Sequence, residues 1–193
     1  MVFTNYEDIL DYIKEFIKDK QSICISIDGM CGSGKTTFAG LLQKELCTNL
    51  VHIDDFYIPK KNRKEDWFEA IAGNMDLCRF KESVLIPFSK KEDINYVRFN
   101  PYKQEYEKEY CIPYNPILIV DGTYSQHSSL KKYYQLNICI ITSREQQYKR
   151  LSKREKENMK NFISCWIPKE NTYLQTMHIV EKANIVLDTT NLF

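Results

Sequence analysis

No CxxC pair occurs among the seven cysteines, Cys24, Cys31, Cys47, Cys78, Cys111, Cys139 and Cys165. They stand singly and are odd in number, which argues against a zinc cluster or a disulfide framework and leaves free thiols of a reducing compartment as the expectation. An excess of charge of one sign is lacking too, because 27 Lys+Arg against 26 Asp+Glu leave a net +1. Coating nucleic acid requires a cationic excess, so no stable nucleic-acid partner is expected, although a local basic patch stays open. No apolar run approaches the roughly 18 residues of a membrane span. The opening MVFTNYEDILDYIKEF interleaves charges where a signal peptide has an apolar stretch. A soluble, cytoplasmic protein without a membrane partner is the expectation. His52, His127 and His178 show no metal spacing and receive no role, and there is neither an internal repeat nor a low-complexity linker.

What is present is an ordinary folding mixture. The 193 residues are 43% hydrophobic, 27% charged and 13% aromatic, enough for one domain with a sizeable core. Ile9, Leu10, Ile13, Phe16 and Ile17 recur at helical spacing, which predicts a helix over 5–19. SICISID reads as a buried strand, Thr36–Cys47 as a helix, and NLVHID as a second strand. FYIPKKNRKED reads as a polar, basic loop before a helix near 65–72. Helical periodicity returns at 76–86, and YVRF suggests a strand. PILIVDG, LNICIIT and NIVLDT read as further strands, with helices over 144–160 and 170–183. Short apolar strands alternating with helices indicate an α/β fold, a single domain over 1–193 with a parallel sheet covered on both faces.

Gly29-Met30-Cys31-Gly32-Ser33-Gly34-Lys35-Thr36 satisfies GxxxxGK[ST], after a strand and at the start of a helix. Such a loop curls so that successive N–H groups converge on phosphate oxygens, reinforced by the helix N-terminus. Gly29, Gly32, Ser33, Gly34, Lys35, Thr36 and Thr37 are therefore the expected nucleoside-triphosphate site, with Lys35 reaching the β- and γ-phosphates and the Thr36 hydroxyl on magnesium. Two acids close strands beside this loop, Asp54 after LVHI and Asp121 after ILIV. Ligands of open α/β sheets bind at such strand ends, where an acid holds magnesium or takes the proton of an attacking hydroxyl. Asp54 is the preferred base and a second metal candidate, with Asp55 in reserve. Asp28 is read as structural.

ISIDGMCGSGKTT, HIDDFY, PILIVDGTYS, RLSKRE and NFISCWIPKENTY together resemble the uridine kinase and phosphoribulokinase-like branch of P-loop kinases, over about residues 20–190. The resemblance implies ATP and Mg2+ as donor and cofactor, Asp54 as the acid that activates an acceptor hydroxyl, and Asp121 as a magnesium holder. It implies Tyr57 and Tyr102 as acceptor-side aromatics. It also implies a helical lid over about 144–170, whose Arg154, with Arg150 one turn earlier, approaches the phosphates. The acceptor half departs from the pattern: Lys103 follows Tyr102, no histidine occurs in 103–120, and the ribose-binding acid has Asp66, Glu69 and Asp76 as candidates.

Three readings follow. The first is an ATP- and magnesium-dependent kinase of a nucleoside such as uridine or cytidine. The second keeps the kinase but takes a nucleoside monophosphate, pantothenate or a sugar phosphate as its small-molecule acceptor, an acceptor that the basic loop at 60–64 would suit. The third is a nucleotide-binding switch or assembly module without such an acceptor. GTP in place of ATP, and a homo-oligomer, stay open.

Overall fold

The computed structural model describes residues 1–192. Its main sheet is wholly parallel. The strands are β1 (Val2–Phe3), β2 (Ile23–Gly29), β3 (Asn49–His52), β6 (Ile117–Asp121), β7 (Leu136–Ile141) and β8 (Ile185–Asp188), in the order β1-β8-β7-β2-β6-β3. All seven residues of β2 are buried, as befits a strand flanked on both edges and both faces. The two-residue period divides its side chains between two cores. Ile23, Ile25 and Ile27 pack with Ile9 and Ile13 of α1 (Tyr6–Ile17) and with Phe38 and Leu42 of α2 (Lys35–Leu46). Cys24, Leu118, Val120 and Cys139 face the opposite core with Phe56, Phe80 and Tyr173.

Helix boundaries follow local chemistry. The Asn5 side chain accepts the Asp8 N–H at 3.0 Å and caps α1. The helical stretch over 77–89 appears as α3 (Leu77–Phe80) and α4 (Ile86–Ser89), joined by a π-turn at Lys81–Leu85. β4 (Ile94–Asn100) covers YVRF and pairs antiparallel with β5 (Glu105–Ile112). Beyond β7 come α5 (Arg144–Arg154), α6 (Met159–Asn161), α7 (Ile167–Thr176) and α8 (Ile179–Lys182).

Several expectations need correction. Residues 65–72 form turns, not a helix: Ala72 is left-handed (φ 55), and the carbonyls of Trp67, Phe68 and Ala70 are taken by the Lys169 ammonium at 2.9, 2.8 and 2.6 Å. The helix expected over 144–160 stops at Arg154 and resumes at Met159. The helix expected over 170–183 starts earlier, at Ile167, and breaks at His178, whose φ of 54 is incompatible with a continuing helix. Strands β1 and β5 were not anticipated. Among the described residues no helix is long and apolar enough to cross a membrane.

Candidate active site

The phosphate loop leaves β2 at Gly29, where φ is 139 and a Cβ would fall on the Ile140 carbonyl, so this position admits only glycine. Five consecutive carbonyls of the loop are held from outside. Lys35 Nζ donates to Gly29 O at 2.9 Å and Met30 O at 3.0 Å, and Gln147 Nε2 donates to Cys31 O at 2.8 Å. The Arg150 guanidinium donates to Gly32 O and Ser33 O at 3.3 Å each, and Thr189 Oγ1 donates to Ser33 O at 2.6 Å. Held carbonyls fix the curl of an anion-binding nest, in which the Cys31 N–H is taken by Glu170 and the Ser33 N–H by Met30 O. The Ser33 hydroxyl is buried without a partner, a polar group that an incoming phosphate oxygen would satisfy. Thr36 and Thr37 open α2 as exposed hydroxyls.

Asp28 fastens the loop from below. Its Oδ1 accepts the Gly29 N–H at 2.6 Å, and its Oδ2 accepts from Gln126 N at 2.8 Å and from Tyr173 OH at 2.6 Å. Burial pushes its carboxyl up while these donors oppose the shift, consistent with a structural part.

Asp54 lies on the short 3-10 turn Ile53–Phe56 that follows β3, and it is exposed. Desolvation by the surrounding protein raises its carboxyl to about 6; Lys35 opposes this, and Asp121 and Glu170 reinforce it. Asp55, next to it, points the other way and is 5% exposed. Its two oxygens take Tyr96 OH and Arg98 Nε at 2.8 Å each, so of these two neighbours Asp54 is the one left exposed. Asp121 is 1% exposed, and its Oδ1 pairs with His52 Nδ1, the residue directly opposite in the β3–β6 register. Among the described residues no group of three or more His, Cys, Asp or Glu is placed to hold a metal. Thr36 and Asp54, both exposed, are oxygen donors of the kind that hold magnesium together with phosphates.

The two arginines of α5 have different surroundings. Arg150 is braced inward, with further bonds to Thr142 Oγ1 (3.4 Å), Thr189 Oγ1 (3.0 Å), Thr189 O (2.6 Å) and Leu192 O (2.7 Å). Its guanidinium thus holds the phosphate loop and the C-terminal segment rather than standing free over the loop. Arg154, with a side chain 61% exposed, is tied among the described residues only to Glu155, at 3.0 Å. Tyr57 is half-buried, and its hydroxyl is pushed up by burial, with Asp54, Glu170 and Tyr124 adding to the shift. Tyr102 is 80% exposed at the tip of the β4–β5 hairpin, outside this group. Asp76 caps α3 through Arg79 N at 3.0 Å and lines a groove of about 390 Å³, while Asp66 and Glu69 are exposed.

Sequence reasoning missed Glu170. Its Oε2 accepts the Cys31 N–H of the phosphate loop at 2.6 Å, and it is 8% exposed. Burial raises its carboxyl and Lys35 opposes. The signal was present in WIPKENTY: Glu170 and Tyr173, three apart on α7, share the helix face that meets the loop. His52, Gln147, Thr189 and Lys169 were missed as well.

A family model described as an AAA domain matches residues 25–178. No curated protein matches the sequence at a significant level. Similar solved structures include a possible uridine kinase from Bacillus stearothermophilus, 17% identical with TM-score 0.73, covering 94% of this chain and 98% of that one. A candidate fructose transport system kinase from Silicibacter sp. TM1040 is 15% identical with TM-score 0.72, covering 95% and 99%. YFH7 from Saccharomyces cerevisiae, described as a candidate P-loop containing kinase with a circular permutation, is 14% identical with TM-score 0.60, covering 94% and 97%. At such identities the likeness is one of fold.

Proposed function

The chain belongs to the AAA domain family, and from that premise we propose that it is an ATP- and magnesium-dependent kinase acting on the hydroxyl of a small metabolite. A nucleoside such as uridine or cytidine is the acceptor the sequence resemblance points to first. The observation that carries the reading is the Asp54 carboxylate, exposed beside the phosphate loop and raised to about 6. A base with that pKa is ionised at neutral pH yet still able to take a proton.

In this reading the loop amides and Lys35 hold the β- and γ-phosphates. Thr36, Asp121 and Asp54 would hold magnesium, whose contribution would be to neutralise charge on those phosphates. Asp54 orients the acceptor hydroxyl and takes its proton as the oxygen attacks the γ-phosphorus and the bond to ADP breaks. Arg154, exposed at the end of α5, swings over the transferred group as part of a lid spanning about 144–170.

The test is ADP release with ATP and magnesium across nucleosides, nucleoside monophosphates, sugar phosphates and pantothenate, with Lys35→Ala as the blank. One acceptor raising turnover far above basal hydrolysis supports the kinase. ATP binding with no stimulation by any of them would put a nucleotide-dependent switch in its place.

A further inference from the structure

Of the six arginines, three meet carboxylates: Arg79 meets Asp76, Arg98 meets Asp55 and Glu107, and Arg154 meets Glu155. Arg150 is saturated by carbonyls and hydroxyls, and Arg144 is exposed beside Tyr148. Arg63 differs from all of these. It is half-buried, its guanidinium lies over the Trp67 ring at 4.7 Å, and its hydrogen bond within the protein runs from Nε to Ile58 O at 3.1 Å. No carboxylate lies within 4 Å of it among the described residues, and Glu65, Asp66 and Glu69 of its own loop face solvent. With Nε anchored and one face on the indole, the terminal nitrogens remain as a fork, the geometry that suits a carboxylate or phosphate.

On the kinase reading, its anchor puts that fork next to the segment that carries Asp54 and Tyr57. Ile58, its anchor, directly follows Tyr57, and Tyr57 lies in the field of both Asp54 and Arg63. Trp67 faces Trp166 at 6.2 Å, and Lys169 locks the turn that carries Trp67 through its three carbonyl bonds. Among the described residues Lys169, too, has no carboxylate within 4 Å. Lys60, Lys61 and Lys64 add positive charge to the same loop, and Gln104 at the hairpin tip accepts the Lys60 N–H at 3.0 Å. A partly desolvated guanidinium without a counterion is costly unless a ligand supplies one.

We propose that Arg63, laid on Trp67 beside the Asp54–Tyr57 segment, reads an anionic group on the acceptor, so that the substrate is a hydroxyl compound carrying a phosphomonoester or carboxylate. This rests on the kinase reading and narrows its acceptor from neutral nucleosides to acidic metabolites.

Matched pairs test it: nucleoside against nucleoside 5′-monophosphate, sugar against sugar phosphate, pantothenol against pantothenate. The expectation is that turnover favours the charged member of at least one pair, and the pair that responds tells phosphate from carboxylate. Arg63→Met then raises KM for that acceptor by about 10- to 100-fold, the range for loss of a charge-assisted pair, while KM for ATP stays put. Arg63→Lys, which keeps the charge and loses the fork, falls between. Equal or better turnover of the neutral members, unchanged in Arg63→Met, overturns the anion assignment and leaves the kinase intact. A charged acceptor indifferent to Arg63→Met overturns the role of this residue. No stimulation by any compound overturns both readings.

Discussion

Arg150 and Arg154 lie one turn apart on α5, and exchanging each for methionine should give opposite phenotypes. Arg150 makes three bonds of 3.0 Å or less, to Thr189 Oγ1, Thr189 O and Leu192 O. At roughly 1.5 kcal/mol for a hydrogen bond to a charged group these sum to about 4.5 kcal/mol. The guanidinium is only partly buried, so water replaces some of this and about 3 kcal/mol is the expected loss for Arg150→Met. For a domain of this size that corresponds to a melting point lower by about 6–12 °C. The longer bonds to Gly32 O and Ser33 O add a functional consequence. A loop whose carbonyls are no longer held should bind nucleotide about tenfold more weakly.

Arg154→Met loses only an exposed pair with Glu155, expected to change stability by less than about 0.5 kcal/mol. If Arg154 neutralises the transferred group, kcat falls by about 10² or more with ATP affinity nearly kept. Thermal unfolding, ATP-analogue titration and ADP release on the two variants measure all of this. An Arg150→Met variant that melts like the parent, binds nucleotide normally and loses kcat would refute the bracing argument and return Arg150 to the reacting phosphates.

Asp54→Asn should cut transfer by about 10²–10⁴ while keeping ATP binding, with unchanged transfer ruling out Asp54 as the base. The base works ionised, so acceptor turnover in the parent should fall as pH drops through about 6. The sign for stability is opposite. The folded carboxyl titrates above its ordinary 3.8, so the nucleotide-free fold should lose stability as pH rises between the two values, measured by denaturant midpoints. Gly122→Ala places a Cβ 2.6 Å from Ile53 Cγ2 at a φ of 127, with Asp54 Oδ1 at 3.5 Å. About 2–3 kcal/mol of stability should be lost, with kcat falling more than nucleotide affinity; unchanged kinetics would mean that the Ile53–Phe56 turn does not set Asp54. Lys169→Met strands three carbonyls of the 67–70 turn and should speed amide exchange across 63–73 by at least about tenfold, at a cost of about 1–3 kcal/mol per unmet group.

Legibility in the sequence followed the distance over which each feature is encoded. Strands β2, β6 and β7 stood out because both their faces are buried and their apolar runs are continuous. EYEKEYCI hid β5, a strand with six of its first seven residues exposed on a two-stranded sheet, where neither run nor alternation survives. The phosphate loop was legible because its chemistry is contained in eight consecutive residues. Its supports were not: Glu170 reaches Cys31 across 139 positions, Arg150 reaches Gly32 across 118, and His52 meets Asp121 only through the register of β3 on β6. Helical spacing could place Arg150 and Arg154 one turn apart but not say which one the C-terminal residues Thr189 and Leu192 would claim. The acceptor side is assembled from 54–67, the hairpin and the start of α7, so no single stretch spells it out. What distinguishes Arg63 from Lys60, Lys61 and Lys64 is its indole platform, its anchored Nε and its missing carboxylate. Those relations exist only after folding, and they turn a basic stretch of sequence into an assignable binding position.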